Sequence, residues 1–148
     1  MLDLCFDRVD VAIVCSNFEE SARFYRDLLE LEVAMELDIP ERLATGAGLA
    51  PRGFHHLRVR AGNTLIKLMD IEGAPERGTT DFAAGVRWLT FFVHDVQAVY
   101  DKLTAKGVPF VSPPVAADDC TAIVCAKDPD GVLIEFVQPF PEDIEGAS

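Results

Sequence analysis

Three charged residues stand inside strand-like apolar segments and are the first candidates for chemistry. Asp10 lies in RVDVAIVCSN, Lys67 in NTLIKLMD and Glu135 in GVLIEFVQ. Large apolar residues flank each of them, and the period of two in a strand turns each charged side chain to the face opposite its neighbours. Carboxylates and a lysine that share a site without water perturb one another's pKa values, as acid/base catalysis requires. That chemistry needs an architecture that brings these faces to a common site.

The first half of the chain predicts a strand, a helix, a strand, a loop and a hairpin, in that order. The helix begins at a cap at Ser16 or Asn17, with two glutamates in its first turn. The loop is rich in glycine and proline, and the hairpin turns at Ala61-Gly62-Asn63. The five elements cover about 7–15, 16–29, 31–37, 38–51 and 54–70.

The second half repeats this order of elements. VRWLTFFV predicts a strand, and Asp95 caps the helix that follows and ends at Lys106-Gly107. VPFVSPPV predicts a short strand that its two prolines stop. A final hairpin turns at Asp128-Pro129-Asp130-Gly131. The chain therefore reads as βαβββ twice.

The two halves superimpose with simple offsets. Adding 78 takes Asp10 to Trp88, and adding 68 takes Lys67 to Glu135. An internal duplication of this length predicts two similar sheets related by a pseudo-two-fold axis. The predicted single domain comprises module 1 at about 6–70, a linker at about 71–85, module 2 at about 86–140 and an acidic tail at 141–148.

The composition excludes several classes of partner. The chain has 25 acidic and 13 basic residues, a formal net charge of -12, and is 49% hydrophobic. A negative protein is a poor match for nucleic acid or an anionic membrane, and no apolar run is long enough to span a bilayer. The four cysteines include no C-x-x-C pair and there is no signal peptide, so we expect a cytoplasmic protein with reduced thiols.

Three segments together carry a family resemblance: VDVAIVCSNFEESARFYRDLLEL, GVRWLTFFVHDVQAVYDKLTAKGV and DPDGVLIEFVQP. Over about 6–140 the chain resembles the vicinal oxygen chelate superfamily of glyoxalases, extradiol dioxygenases and bleomycin-resistance proteins. The resemblance implies an α+β fold of two tandem βαβββ modules whose curled sheets enclose a cleft. It also implies a homodimer.

In metal-dependent members of this superfamily, four pseudo-symmetric cleft positions carry His, Glu or Gln ligands, and here they are Asp10, Lys67, Trp88 and Glu135. Only Glu135 is a family-typical ligand, and Asp10 could still bind a cation. The Lys67 ammonium and the Trp88 indole N–H have no lone pair to offer. Two ligands are too few for a tight divalent site, so we predict neither a metal nor another cofactor. A displaced site that recruits His56 has no support in the spacing.

The same alternation gives the residues that line the cleft. With Lys67, Arg58 suits an anionic ligand such as a carboxylate, a phosphate or a thioester conjugate, although Arg58 could equally meet solvent or acidic side chains. Trp88 could stack on a planar ligand or fill the space that a metal leaves. The predicted substrate-binding residues are Phe54, His56, Arg58, Leu65, Met69, Trp88, Phe92 and Leu133.

The resemblance and the residues favour a small-molecule cleft protein, for which three hypotheses stay open. The first is a metal-independent isomerase, epimerase or lyase acting on an anionic substrate, in which Lys67 holds an oxyanion and Asp10 and Glu135 move a proton. Catalytic residues would then be Asp10, Lys67 and Glu135, although an ion pair that only satisfies buried charge explains them equally. The second is a non-catalytic protein that sequesters an aromatic or amphipathic compound. The third is a divergent metal-dependent, glyoxalase-like lyase.

Overall fold

The computed structural model describes residues 1–78 and 82–144, and the chain divides into two compact units, Met1–Arg77 and Gly78–Ser148. Residues 79–81 of the predicted linker and residues 145–148 of the predicted acidic tail lie outside the described residues. Each unit has a sheet of its own. Each unit is therefore described by itself.

Unit 1 is a four-stranded mixed sheet with a helix on one face. The strand order is β1-β4-β3-β2, with β1 parallel to β4 and the other neighbours antiparallel. The first helix, α1, continues directly into a π-helical segment. The elements are β1 Val11–Val14, α1 Phe18–Ala22, the π-helical segment Arg23–Leu28, β2 Glu32–Ile39, α2 Glu41–Gly46, β3 Phe54–Ala61 and β4 Thr64–Asp70.

The predicted cap of the first helix is confirmed at Asn17. Its side-chain Oδ1 accepts a hydrogen bond from the Glu20 N–H at 3.2 Å, which satisfies a donor that the first turn of a helix leaves without a partner. Behind this cap, Ala22 and Tyr25 are fully buried, and α1 packs against β4. This packing buries one face of the sheet, and the opposite face carries both polar and apolar side chains.

Two expectations about unit 1 are corrected by the structure. The strand predicted over about 7–15 is regular only over Val11–Val14, so Asp10 lies at its entrance rather than in its middle. The segment 38–51, predicted as a loop, contains α2, which begins after Pro40. Glycine and proline suggested irregular chain here, but Pro40 only precedes the first turn, where its missing N–H costs nothing. Ala44 of α2 is buried in a small apolar cluster beside β3 and β4.

In its described residues, unit 2 is a three-stranded sheet with one α-helix. The strand order is β5-β7-β6, with β5 parallel and β6 antiparallel to the central β7. Asp95 is the predicted cap of the helix, and its carboxylate accepts from the Ala98 N–H at 3.0 Å. The elements are β5 Trp88–Phe92, α3 Val96–Ala105, β6 Ala122–Lys127, β7 Leu133–Gln138 and a 3₁₀ turn at Pro141–Asp143.

The strand predicted at VPFVSPPV is wrong as a continuous strand. It survives only as isolated bridges from Phe110 to Ala126 and from Val115 to Ile123. The Pro113-Pro114 pair lies between the two bridges and has no N–H to donate to a ladder, so pairing along β6 is interrupted there. The mixed α+β fold class is confirmed, with this strand of the second module reduced to two contacts.

The turn between β6 and β7 forms as predicted around a buried carboxylate. Asp128 is 3% exposed, and its Oδ1 accepts from the Asp130 N–H at 2.9 Å and the Val132 N–H at 2.8 Å. Gly131 has a φ of 85°, in the left-handed region that favours glycine. The turn thereby sets the register that places Glu135 in the centre of the sheet. Among the residues that the structure describes, no helix is long and apolar enough to cross a membrane.

Candidate functional site

A cavity of about 890 Å³ lies over one face of the sheet of unit 2. Its volume is in the range of sites that hold small organic molecules. Strands β5, β6 and β7 form its floor, and the segments around Ala117 and the 3₁₀ turn contribute further walls. The lining is mostly apolar and includes Trp88, Thr90, Phe92, Cys120, Glu135 and Ile144.

Glu135 is fixed in this cavity by a short chain of hydrogen bonds. The Trp88 indole Nε1–H donates to Thr90 Oγ1 at 3.0 Å, and the Thr90 hydroxyl donates to Glu135 Oε1 at 2.8 Å. The chain follows from register, because Thr90 on β5 and Glu135 on β7 are directly opposite one another. The Thr90 hydroxyl thus orients the Glu135 carboxylate through Oε1.

Neither cysteine near Glu135 is a good nucleophile. Cys120 lines the cavity, and burial, and then the charge of Asp119, raise the pKa of its thiol above the ordinary value. Cys125 is the neighbour of Glu135 on β6. Burial, and then the Glu135 carboxylate, raise the pKa of the Cys125 thiol above its ordinary value. A thiol with a raised pKa stays protonated at neutral pH and is a poor nucleophile. Glu135 is the carboxylate that a strand of this sheet contributes to the cavity.

In unit 1 the sheet face opposite α1 carries a row of two cations. Arg58 on β3 and Lys67 on β4 are directly opposite, and the same row continues to Met35 on β2 and Ala12 on β1. Directly opposed side chains on antiparallel strands have Cβ atoms roughly 4.5–5.5 Å apart, and like charges there are destabilising. The row itself contains no carboxylate.

Asp10 is the carboxylate nearest to this row, and it is already shared. Its Oδ1 accepts from the Leu65 N–H at 3.0 Å and from Arg8 Nε at 3.2 Å, while its Oδ2 lies 3.9 Å from Lys67 Nζ. The Asp10 and Lys67 side chains are 21% and 29% exposed. The predicted contact between Lys67 and a carboxylate therefore exists in unit 1, at the long end of ion-pair distances.

His56 lies next to the cationic row and is 4% exposed. It stands between Leu37 and Met69 on the same face of the sheet. Burial is the main reason that its pKa lies below its ordinary value, and the charges of Arg58 and Lys67 and then His55 lower it further. The imidazole is therefore neutral at pH 7.

Comparison with known proteins identifies the family of this chain. The family model for the Glyoxalase/Bleomycin resistance protein/Dioxygenase superfamily matches residues 8–136. The chain belongs to this superfamily. Its match to the vicinal oxygen chelate proteins, expected from the sequence segments, is thereby confirmed.

Individual relatives of this superfamily span nearly the same length as the chain. The uncharacterized protein YwkD of Bacillus subtilis is 29% identical over 130 residues, 86% of this chain and 93% of that protein. The structure of SMU.1112c is similar at a TM-score of 0.70 and 25% identity, covering 88% of this chain and 98% of that one. TnmS3, an antibiotic binding protein from Streptomyces sp. CB03234, shares the fold at a TM-score of 0.66 and 18% identity, covering 93% and 100%.

The residues of this superfamily member do not fit a divalent metal at the expected positions. In unit 1 the ammonium of Lys67 faces Asp10, and in unit 2 the Trp88 N–H points to Thr90, which donates to Glu135. An ammonium and an indole N–H supply hydrogen-bond donors where a metal needs lone pairs. Within residues 1–78 and 82–144, no three or more His, Cys, Asp or Glu side chains are grouped as a metal site would need.

The superfamily fold places the remaining predicted residues in two different settings. In unit 2, Leu133 is opposite Trp88 on the face that carries Glu135. In unit 1, Phe54 and Met69 are buried, and Met69 lines a smaller cavity of about 370 Å³ beside Pro51. The predicted residues that share the 890 Å³ cavity are Trp88, Phe92 and Glu135. Those on the face of the unit 1 sheet that bears the cations are Asp10, Phe54, His56, Arg58, Leu65, Lys67 and Met69.

Several residues that line the larger cavity were not predicted. Thr90 is one of them, and a hydroxyl opposite Glu135 is a natural hydrogen-bond partner for its carboxylate. His94, which follows β5 and precedes the Asp95 cap, is another. Cys120 and Ile144 come from irregular segments, where strand alternation carries no information. Register within the sheet could have found Thr90; nothing in the sequence pattern could have found Ile144.

Proposed function

We propose that the protein is a metal-independent enzyme of the isomerase, epimerase or lyase type, with Glu135 as the acid/base group. The observation that carries this proposal is the fixed carboxylate in the 890 Å³ cavity, held at Oε1 by Thr90. A general base must lie within hydrogen-bond reach of the proton that it abstracts, and a carboxylate oriented by neighbours meets this need at little entropic cost. Abstraction of a proton next to a carbonyl is the chemistry that such a group performs.

The apolar walls give this proposal its substrate class. Trp88 and Phe92 offer aromatic surface on the floor of the cavity, where the hydrogen-bonded Glu135 also lies. The other two carboxylates of the lining, Asp119 and Asp143, are exposed and lie in its walls. Such a lining suits a small carbonyl compound with an apolar or planar part.

A first experiment measures binding through Trp88, which is the single tryptophan of the chain. Small carbonyl-containing carboxylic acids with aromatic or branched aliphatic groups are titrated while the tryptophan fluorescence is recorded. We expect a saturable change for at least one compound. Weaker binding to Phe92→Ala, whose wild-type ring lines the same cavity, shows that the compound binds there. The absence of any saturable change across the set contradicts the proposed cavity function.

A second experiment tests the reaction with Glu135→Gln. Compounds that bind are incubated in D₂O, and loss of the ¹H NMR signal of the carbon-bound proton next to the carbonyl is followed. We expect exchange with wild type, at least about a hundredfold slower exchange with Glu135→Gln, and unchanged exchange with the matched control Glu76→Gln, whose residue is exposed in unit 1. Equal exchange by Glu135→Gln and wild type contradicts the assigned role.

A second candidate function is sequestration of a small molecule without turnover. The mostly apolar cavity favours it, and TnmS3, an antibiotic binding protein, has the same fold. In that case compounds bind with a Trp88 signal, and no compound that binds exchanges a proton. The two experiments therefore separate catalysis from sequestration.

A further inference from the structure

The cationic face of unit 1 contains buried hydrogen-bonding groups that have no partner. Among residues 1–78 and 82–144, neither His56 Nε2 nor Arg58 Nε has a hydrogen-bond partner, although both atoms are buried. A buried polar atom left without a partner costs free energy comparable to a lost hydrogen bond. Two such atoms on consecutive inward positions of one strand indicate that a partner for both is missing from the protein itself.

The charges around these two atoms indicate the sign of the missing partner. Lys67 is directly opposite Arg58, and the nearest carboxylate, Asp10, is shared with Arg8 and the Leu65 N–H. The face thus has more positive charge than its own carboxylate can neutralise. A cation at this place would be repelled by Arg58 and Lys67, whereas an anion would be attracted by both.

The neighbours of His56 limit the size of such a partner. Leu37 and Met69 flank His56 across the sheet, and the Phe54 ring packs edge-on against it with centroids 5.8 Å apart. Apolar neighbours exclude water and strengthen any hydrogen bond made there. A compact group with several acceptor oxygens satisfies the imidazole, the guanidinium and the ammonium together.

We propose that His56, Arg58 and Lys67 form an oxyanion-binding site in unit 1, which takes the carboxylate or phosphate group of a small molecule. Arg58 Nε and Lys67 Nζ donate to its oxygens, and His56 donates from Nε2 in the tautomer that carries its proton there. The site goes beyond the proposed function and does not depend on proton transfer by Glu135. Asp10 positions Lys67 and does not contact the anion.

The site is tested by NMR on the full chain carrying ¹⁵N-labelled histidines. The protein is titrated with malonate and, in a separate experiment, with inorganic phosphate, both at constant ionic strength. We expect saturable shifts of the His56 ring nitrogens with at least one anion, and the comparison of the two anions shows which oxyanion the site prefers. Chloride at the same ionic strength measures non-specific screening. If neither anion gives a saturable shift at His56, the proposal is wrong.

Two variants and a matched control locate the binding. Arg58→Met and Lys67→Met remove the charge and keep the aliphatic stem, and each is expected to weaken binding about tenfold. Arg60→Met removes the same charge from the same strand, but Arg60 is exposed and lies 3.9 Å from Glu32, so we expect less than about a twofold change. Equal weakening by all three variants indicates bulk attraction and overturns the proposal.

The anion site and the proposed reaction can fail independently. Glu135→Gln leaves the His56 titration unchanged if the anion site belongs to unit 1 alone. Proton exchange that depends on Glu135, with no anion response at His56, supports the reaction and contradicts the site. Anion binding without any exchange supports the site and contradicts the reaction.

Discussion

At the scale of single residues, His56 illustrates how burial and charge combine. The chain packs an ionisable ring into an apolar surrounding and places Arg58 beside it and Lys67 on the neighbouring strand. Each effect favours the neutral imidazole. Because the fold disfavours the protonated imidazole, this arrangement lowers the free energy of unfolding at acid pH.

The lowered pKa of His56 predicts an acid-sensitive fold. The unfolded state binds more protons than the native state once the pH falls below the ordinary histidine pKa of 6.5, so the free energy of unfolding decreases from there downward. Above that pH this contribution is fully present. Denaturant unfolding at pH 5.5 and pH 7.5 measures the difference, and we expect it to be smaller in His56→Gln. An equal pH dependence in both proteins contradicts the assignment.

Three basic residues near His56 contribute to the lowering of its pKa. Arg58 lies on its own strand, Lys67 lies on β4, and His55 contributes from the adjacent position. An anion that binds these groups raises the pKa of His56, because it stabilises the imidazolium. Adding malonate or phosphate is therefore expected to reduce the loss of stability at acid pH, as a second readout of the same site.

At the scale of elements, the β6–β7 turn shows how a local sequence motif sets a functional position. Asp128, two residues before Asp130, closes the turn through two backbone N–H groups, and Gly131 supplies the positive φ. From this turn β7 runs with alternating burial, so that Ile134 and Phe136 are in the core and Glu135 faces the cavity.

Removing the Asp128 carboxylate is expected to destabilise unit 2. Asp128→Ala leaves two partly buried N–H groups without acceptors, at a cost of roughly 1–3 kcal/mol in the free energy of unfolding. Urea unfolding followed by far-UV circular dichroism measures the change. Asp118→Ala, in an exposed segment, is the control and is expected to lie within about 0.5 kcal/mol of wild type. A loss for Asp128→Ala no larger than for the control removes this role.

The elements that the sequence predicts well are those with a local physical signal. In three of them a side chain accepts a hydrogen bond from a backbone N–H two or three residues further along the chain. They are the helix caps at Asn17 and Asp95 and the turn at Asp128. The α2 helix and the broken strand near Pro113-Pro114 were mispredicted because proline marks both a helix start and an irregular segment. Contacts with residues far along the chain decide between the two outcomes. At α2 the deciding contact is the burial of Ala44 against Phe54 and Met69.

In the candidate site, too, some features follow from a local sequence pattern and others depend on packing. Alternation placed Trp88, Phe92 and Glu135 on one face correctly, and register explains Thr90. The atoms of His56 and Arg58 that lack partners could not be predicted, because a missing partner is a property of three neighbouring strands taken together. The sequence pattern predicts which face of the sheet a side chain lies on. Which residues it contacts there depends on the packing of the folded chain.

At the scale of the whole molecule, the chain combines the fold of its superfamily with a different polar inventory. Residues 8–136 match the Glyoxalase/Bleomycin resistance protein/Dioxygenase superfamily, yet Lys67 and Trp88 occupy two of the four positions at which the sequence resemblance led us to expect metal ligands. In unit 1 the lysine pairs with Asp10, and in unit 2 the tryptophan begins the chain of hydrogen bonds that ends at Glu135. The central claim is that Glu135 transfers a proton in this protein without a bound metal ion.

The most direct test of that claim is proton exchange measured with and without metal. Wild-type protein is treated with a chelator, its metal content is checked by elemental analysis, and exchange of a bound carbonyl compound in D₂O is compared before and after adding Mg²⁺, Mn²⁺, Ni²⁺ or Zn²⁺. The metal-independent mechanism predicts the same exchange rate, within about twofold, in the stripped and supplemented protein, and dependence on Glu135 in both. Exchange that disappears on chelation and returns with one added ion contradicts it, and indicates metal-dependent proton transfer instead.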